Sequence, residues 1–226
     1  MIIAIDGPAG AGKGTLAQHL AKIYSLDHLD TGLLYRAVAF KLLEKGENLQ
    51  NPTIATRTAL LLEKEELKNP ALRNETIGNM ASKIAVFPEV REALLLFQRK
   101  FAITSSPHKQ GVILDGRDIG LVVLPEAPCK IFVTASPTVR AERRLKELHL
   151  KKTYSTFESI LEDIKERDTR DEMREFSPLR PASDAFVLDT SELGICDVIE
   201  KASFFVDSIY PQAHKKLDKS AEGWSQ

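Results

Sequence analysis

A glycine-rich segment at residues 7–15 contains one lysine and one threonine and has the composition of a phosphate-binding loop. It follows the apolar run 2–5, and apolar residues continue behind it at helical spacing. A glycine-rich turn between a strand and a helix leaves backbone N–H groups free to converge on a polyphosphate. The pattern G-x-x-x-x-G-K-[ST] holds up to Lys13, but Gly14 stands where a hydroxyl is expected. Thr15, one residue later, is therefore expected to serve a magnesium ion.

A turn with two carboxylates and a guanidinium follows the apolar run 111–114. A strand here would end on the side where the phosphate loop lies, so polar residues of the turn can reach a ligand. Asp115 is placed to hold magnesium through water, and Arg117 can grip a phosphate with its planar guanidinium. The alternative is an ordinary capped turn with an internal ion pair, because aspartate and glycine are common in turns.

Two groups of charged residues, five arginines and one aspartate in all, stand at helical spacing in the second half of the chain. Intervals of three and four place each group on one face of a helix. Phosphoryl transfer asks a protein for alignment, charge neutralisation and exclusion of water, and arginines on a closing lid supply all three. Each group alone also fits a solvated helix face whose charge is balanced by nearby glutamates. The groups are Arg140, Arg143 and Arg144, and Arg167, Asp171 and Arg174.

The order of the predicted elements is that of an α/β protein with a mainly parallel sheet. Apolar runs bounded by glycine, proline or polar residues predict strands, and helical spacing fills the intervals. Ligands of such sheets bind at the carboxyl ends of the strands, where the phosphate loop, Asp30 and Asp115 all fall. Thr31 is expected to be the N-cap of the second helix. The predicted strands are 2–5, 27–30, 111–114, 129–133 and 185–188.

The stretch 51–103 shows no strand alternation, and its pattern predicts helices only. These helices are expected at 55–67, 74–86 and 88–103. A further helix is expected from about residue 155, and a closing helix from about 197 to 209. The segment 211–226 is polar and rich in lysine, which predicts a frayed tail.

Composition narrows the function classes. The chain has 31 basic and 32 acidic residues, so no overall field favours nucleic acid or an anionic membrane. Cys129 and Cys196 stand far apart without a Cys-x-x-Cys partner, so they are expected to be core residues and not a zinc or redox site. The chain opens on a strand with no room for a leader, and no run has the length of a membrane span. A cytoplasmic protein is expected.

Several short sequence blocks occur in this chain in addition to the phosphate loop, and together they are more specific than the loop alone. They include Asp-Thr-Gly at 30–32, Tyr-Arg at 35–36 and Gly-Arg-Asp at 116–118. With these blocks the sequence resembles the bacterial-type cytidylate kinases of the nucleoside monophosphate kinase group. The full set of matching blocks is 5–16, 30–36, 81–94, 115–118, 164–171 and 178–185, within residues 2 to about 209.

The resemblance implies the fold and the reaction. The expected fold is a P-loop kinase of the α/β class, a five-stranded parallel sheet flanked by helices within a single domain at 1–210. A helical monophosphate-binding insert is expected at about 50–104, shorter than is common in the family, and an arginine-rich lid at about 140–176. The expected reaction is transfer of the γ-phosphate of ATP to CMP or dCMP with Mg²⁺, giving CDP or dCDP and ADP.

The resemblance also places site residues on matching positions. Lys13, Arg117, Arg167 and Arg174 are expected to be catalytic, and Thr15 and Asp115 to serve the metal. ATP is expected to be bound by Gly7, Pro8, Ala9, Gly10, Ala11, Gly12, Lys13, Gly14, Thr15, Arg140 and Arg144. The acceptor site is expected to comprise Thr31, Arg36, Ser82, Arg91, Arg117, Asp118, Arg167, Asp171 and Arg174.

Within the acceptor site, each expected role fits the donor or acceptor character of the side chain. Asp118 suits the amino group of cytosine, Arg91 the base carbonyl and Ser82 the base. Asp171 suits the ribose hydroxyls. The acceptor phosphate is expected to be bound by Arg36, Arg117, Arg167 and Arg174.

Two other functions remain open on the sequence alone. A kinase for another monophosphate or a small metabolite would share the phosphate loop and the lid. A regulatory module that senses or hydrolyses ATP would share the loop, and strict dependence of ADP formation on CMP would exclude it. The protein is expected to be a monomer that binds small molecules, with neither nucleic acid nor membrane as a partner.

Overall fold

A parallel sheet of five strands runs through the centre of the protein, for which a computed structural model describes residues 1–150 and 152–212. The strand order is β2-β3-β1-β4-β5, and every neighbouring pair is parallel. Each predicted strand is confirmed, with ends shifted by one or two residues. The strands are β1 (Ile2–Asp6), β2 (Asp27–Asp30), β3 (Val112–Gly116), β4 (Cys129–Thr134) and β5 (Phe186–Asp189).

Helices cover both faces of the sheet, as its apolar strands require. One face packs against α2, α3, α4 and α5, and the other packs against α1 and α8. Two separate apolar cores result, and β1 contributes Ala4 to one and Ile3 and Ile5 to the other. The helices are α1 (Lys13–Ile23), α2 (Gly32–Glu44), α3 (Pro52–Leu60), α4 (Glu75–Ile84), α5 (Pro88–Ile103), α6 (Pro137–Leu150), α7 (Phe157–Met173) and α8 (Ile195–Ile209).

The helix predicted at 55–67 is wrong in its second half. The side chain of Asn51 caps α3 by accepting from the N–H groups of Thr53 and Ile54, and the helix ends at Leu60. Two short 3-10 helices follow, Lys64–Lys68 and Pro70–Arg73. The reason is local capping, because the side chains of Glu66 and Asn69 accept from the backbone N–H groups of Glu63 and Ala71, at 2.8 and 2.9 Å, and so start new turns.

Thr31 stands at the N-cap position of α2, as predicted, but its side chain makes no capping hydrogen bond. The residue has a helical backbone, and its hydroxyl donates to the carbonyl oxygen of Asp115 at 2.8 Å. Asp30 and Asp115 are register partners on β2 and β3, so the hydroxyl of the next residue reaches β3 more readily than its own helix. Thr31 therefore ties two strand ends together beneath the site.

The predicted lid contains α6 and α7, which pack through Ala141, Leu148, Ile160 and Ile164. The last helical residue of α7 is Met173, so Arg174 lies just beyond the helix in extended conformation. The prediction that Arg174 shares a helix with Arg167 is therefore corrected. The closing helix is longer than expected and begins at Ile195. Of the predicted tail, residues 213–226 lie outside the described part of the chain.

No helix among the described residues is both long enough and apolar enough to cross a bilayer.

Candidate active site

The phosphate loop lies between β1 and α1, as its sequence predicted. Its backbone needs glycine at three places, because Gly7, Gly10 and Gly12 have φ values of +144°, +77° and +92°. A side chain at Gly7 would also be excluded by space, since its Cβ would lie 1.9 Å from the carbonyl oxygen of Val133. The loop therefore has the open conformation in which backbone N–H groups point toward a bound anion.

Lys13 is buried at the base of this loop and has 6% of its surface exposed. Its ammonium group donates to the carbonyl oxygen of Pro8 at 2.7 Å. Burial, with the nearby charge of Arg117, lowers the pKa of Lys13 to about 7. Because a buried ammonium gains most from an anionic partner, Lys13 is poised to bind a phosphate.

Asp6, at the end of β1, connects the phosphate loop to the turn after β3. Its two carboxylate oxygens each accept a backbone N–H at 2.7 Å, from Ile119 and Gly120. Burial raises the pKa of Asp6 to about 6, although these two hydrogen bonds oppose the shift. The sequence analysis missed Asp6, although it stands at the carboxyl end of a strand directly before the loop.

The carboxyl ends of β2 and β3 bring Asp30 and Asp115 together. Asp115 shares a hydrogen bond of 2.6 Å with Nε2 of His28. Burial and the charge of Asp115 raise the pKa of Asp30. Thr15 lies exposed on the first turn of α1. A carboxylate and a hydroxyl are oxygen ligands of the kind that Mg²⁺ prefers, so Asp115 and Thr15 fit the expected metal.

All nine residues predicted for the acceptor line one cleft. The residues come from α2, α4, α5, the end of β3 and the predicted lid. Their distances from one another could not be predicted from the sequence. The lining comprises Thr31, Arg36, Ser82, Arg91, Arg117, Asp118, Arg167, Asp171 and Arg174, together with Gly32, Tyr35, Ala81, Ala85 and Gly116.

At one end of the cleft, Arg91 and Asp118 form a buried ion pair of 2.5 Å. Burial opposes the charge of Arg91, but Tyr35 and Asp118 outweigh it and raise the pKa of Arg91. The Tyr35 ring lies 5.5 Å from the guanidinium carbon, which holds the arginine from a second side. Nε of Arg91 is buried without a hydrogen-bond partner. A carboxylate acceptor and a free N–H donor therefore lie side by side, as recognition of a base edge requires.

Several arginines also line the cleft, and burial together with the nearby charge of Arg91 lowers the pKa of Arg174. Nε of Arg117 donates to Asp171 at 2.9 Å, and Arg174 lies 3.7 Å from the same carboxylate. Burial tends to raise the pKa of Asp171, but Arg117, Arg167 and Arg174 together hold it below its usual value. Nε of Arg167 and one terminal nitrogen of Arg174 are buried without partners.

Arg36, on α2, is another arginine that lines the cleft. One terminal nitrogen donates to the carbonyl oxygens of Leu72 and Asn74, at 2.8 and 2.9 Å. Burial lowers the pKa of Arg36, and burial together with Arg117 lowers the pKa of Arg167 to about 10. Burial is the main cause of both shifts, and Arg117 adds to it, so the carboxylates nearby do not offset the cost of burying these cations. The arrangement favours an anionic ligand.

The three arginines of α6 diverge. Arg140 is 3% exposed and binds both oxygens of Asp168, at 3.0 and 2.5 Å, and also the carbonyl oxygens of Ala9 and Ala135. Arg140 thus contacts the phosphate loop at the backbone carbonyl oxygen of Ala9, and its guanidinium makes four hydrogen bonds within the protein. Arg144 pairs with Glu147 at 2.6 Å and with Glu75 at 3.3 Å.

Arg143 lies on the other side of the loop and donates to the hydroxyl and the carbonyl oxygen of Thr190. Both residues line a second cleft of about 590 Å³ with Gly12 and Thr15 of the loop region. Its remaining wall is mostly apolar and suits a nucleotide base. This wall comprises Leu193, Ile195, Val198 and Ile199. It was not predicted from the sequence, although apolar residues at the start of a helix could have indicated it.

Comparison with known proteins points to one family. A sequence profile described as cytidylate kinase matches residues 3–207. A protein named cytidylate kinase from Sinorhizobium medicae is 48% identical over 206 residues, covering 91% of this chain and 95% of that protein. Another of the same name, from Paramagnetospirillum magneticum, is 54% identical over 192 residues, covering 85% and 90%.

One solved structure shares the fold. It is described as an uncharacterized protein from Eubacterium ventriosum, and it matches with a TM-score of 0.54 at 16% identity. The match covers 92% of this chain and 98% of that one.

Proposed function

This chain belongs to the cytidylate kinase family, and on that premise we propose that it transfers the γ-phosphoryl group of ATP to CMP or dCMP. The products are ADP and CDP or dCDP. The carrying observation is that all nine residues predicted for the acceptor line one cleft, whose lining also includes Tyr35. Asp118 and Arg91 suit a base edge, and the other arginines of the lining suit a phosphate.

The donor phosphates bind at the loop between β1 and α1. Backbone N–H groups and the N-terminus of α1 surround the β- and γ-phosphates, and Lys13 supplies a full charge there. The phosphate replaces the carbonyl oxygen of Pro8 as the partner of Lys13. Thr15, and Asp115 through water, would hold Mg²⁺ there, and the ion would supply neutralisation of phosphate charge. The adenine occupies the apolar cleft beside Arg143.

The acceptor binds with its base against Asp118, Arg91 and Ser82. The carboxylate of Asp118 accepts from the amino group of cytosine, and the unpartnered Nε of Arg91 donates to a base acceptor. The ribose hydroxyls bind Asp171. The acceptor phosphate takes the free donors of Arg167 and Arg174, with Arg36 and Arg117 completing its shell.

No general base is needed, because the attacking phosphate oxygen is already anionic at neutral pH. The residues instead align the two phosphates, neutralise them and exclude water. Lys13, Arg117, Arg167 and Arg174 carry this role. Arg140 acts from behind the loop, where its four hydrogen bonds fix the position of Ala9 relative to α7.

A coupled assay of ADP formation tests the proposal, with CMP, dCMP, UMP, AMP and GMP as separate acceptors. We expect strict dependence on an added acceptor, with CMP and dCMP preferred. Lys13→Ala is expected to abolish turnover with the fold intact. ADP formed equally without an acceptor would refute the kinase assignment in favour of an ATPase, and preference for AMP, GMP or UMP would indicate another monophosphate kinase.

The same proposal covers organisation and location. Residues 1–210 act as one kinase domain, in which the segment at about 50–104 is the monophosphate-binding insert and that at about 140–176 is the lid. The protein works as a cytoplasmic monomer on small molecules, with neither nucleic acid nor membrane as a partner. Sedimentation of the purified chain with and without CMP tests the monomer.

A further inference from the structure

A hydrogen bond between the predicted lid and the predicted insert has no role in the function described above. One terminal nitrogen of Arg170, on α7, donates to Oγ of Ser82, on α4, at 2.6 Å. The other terminal nitrogen of Arg170 binds Glu166 one turn earlier on the same helix, also at 2.6 Å. Glu166 thus orients the guanidinium, and Arg170 presents a donor to Ser82.

Ser82 is the member of the base-binding group whose direction is least fixed by its own chemistry. A serine hydroxyl both donates and accepts, and it rotates to suit its neighbour. A freely rotating hydroxyl therefore serves cytosine and uracil alike, although these bases carry opposite hydrogen-bonding groups at positions 3 and 4. A hydroxyl held in one direction distinguishes them.

Arg170 provides that restraint. An arginine donates only and keeps its charge throughout the physiological pH range, so Ser82 always accepts from it. One lone pair of the hydroxyl is then occupied, and the accepted bond polarises the O–H group, so donation into the cleft is favoured over acceptance. Ser82 is 5% exposed and lines the cleft beside Asp118 and Arg91, so little water competes for it.

We propose that Arg170 is a specificity-determining residue that acts through Ser82, so that the lid takes part in distinguishing cytosine from uracil. The inference rests on the proposed function of this cleft. Arg170 is a positioning residue, because it contacts Ser82 and is not among the residues that line the cleft. Since the two residues belong to α7 and α4, the base site is complete only with the lid in this position.

The test is the ratio of kcat/KM for CMP to that for UMP, in wild type and in Arg170→Met. Loss of one oriented hydrogen bond is expected to lower this ratio about fivefold. Arg170→Lys retains a donor and should restore part of it. Lys165→Met is the matched control, because it removes an exposed cation from the same helix, and its ratio should stay near wild type. Thermal unfolding of each variant reports on the fold.

A double-mutant cycle separates positioning from a general effect. In the Ser82→Ala background, Arg170→Met should change the ratio no further, because its route to the base is gone. An unchanged ratio in Arg170→Met, or an equal fall with and without Ser82, overturns the inference. Wild type is assayed first: if it does not phosphorylate CMP, the proposed function fails, whereas a wild-type preference for CMP that survives Arg170→Met refutes this inference alone.

Discussion

Lys13→Met should make the protein more stable at neutral pH while abolishing its activity. The ammonium of Lys13 is buried, and its pKa falls from 10.5 to about 7. In the unfolded chain the ordinary value returns, so between pH 7 and pH 10.5 the unfolded state binds more protons than the folded state. Stability therefore rises with pH across this window, and the cost of burying Lys13 is greatest at and below pH 7.

The size of the effect follows from the same pKa difference. It corresponds to a cost of roughly 4 kcal/mol at pH 7 and roughly 1.5 kcal/mol at pH 9.5. Methionine fills a similar volume without the charge. It also gives up the hydrogen bond to Pro8, which offsets about 1 kcal/mol of the gain. A net gain of roughly 3 kcal/mol at pH 7 raises the Tm of a domain of this size by roughly 6–12 °C.

Thermal unfolding without nucleotide, followed by circular dichroism at pH 7 and pH 9.5, measures the effect. Lys146→Met, at an exposed position on α6, is the control and should change the Tm little at either pH. Activity of the variant is measured in the same preparation. The reasoning is refuted if Lys13→Met is less stable than wild type at pH 7, or if its advantage is equally large at pH 9.5.

Three further substitutions test separate parts of the site. Asp118→Asn leaves the Arg91 guanidinium buried without its charged partner, so the free energy of unfolding should fall by about 3 kcal/mol in urea denaturation. Glu65→Gln, which breaks an exposed pair, should change the free energy of unfolding little, and an equal loss in both variants would contradict the buried pair's role. Arg167→Lys should raise the KM for CMP about tenfold in steady-state kinetics and leave the KM for ATP unchanged; a rise confined to ATP would place this residue at the donor. Thr31→Val should cost about 1–2 kcal/mol, since it removes a buried hydrogen bond, whereas Thr31→Ser should cost less.

The strands were predictable because their signals are local. Each is a short apolar run ended by glycine, proline or aspartate, and the structure moves their ends by only one or two residues. The end of α3 was not predictable in the same way. Leu60 and Leu61 fit a continuing helical pattern but are more than 60% exposed, and capping by Glu66 starts a new turn instead. A periodic pattern marks which residues are apolar, but it does not say which of them find a packing partner.

The acceptor residues were predictable as a set, but their partners were not. Residue types and the family resemblance indicated Arg91, Asp118, Asp171 and Ser82, and the structure brings them into one cleft. The bond between Ser82 and Arg170 joins positions 88 residues apart, and no local signal connects them. Asp6 was missed for a similar reason, because its partners are backbone N–H groups on a turn 113 and 114 residues away.

Arginines that stand at similar helical spacing in the sequence differ in how many of their hydrogen-bond donors have a partner. Arg140 makes four hydrogen bonds, two of them to Asp168, and its charge is compensated within the protein. Arg167 and Arg174 each retain a buried donor without a partner.

The cleft as a whole shows the same imbalance. Besides Arg91, which pairs with Asp118, it is lined by Arg36, Arg117, Arg167 and Arg174 and by one further carboxylate, that of Asp171. Burying such an excess of positive charge costs stability unless a ligand supplies the missing negative charge. A monophosphate dianion would supply that charge and take the free donors, so the same imbalance favours binding of the acceptor that we propose.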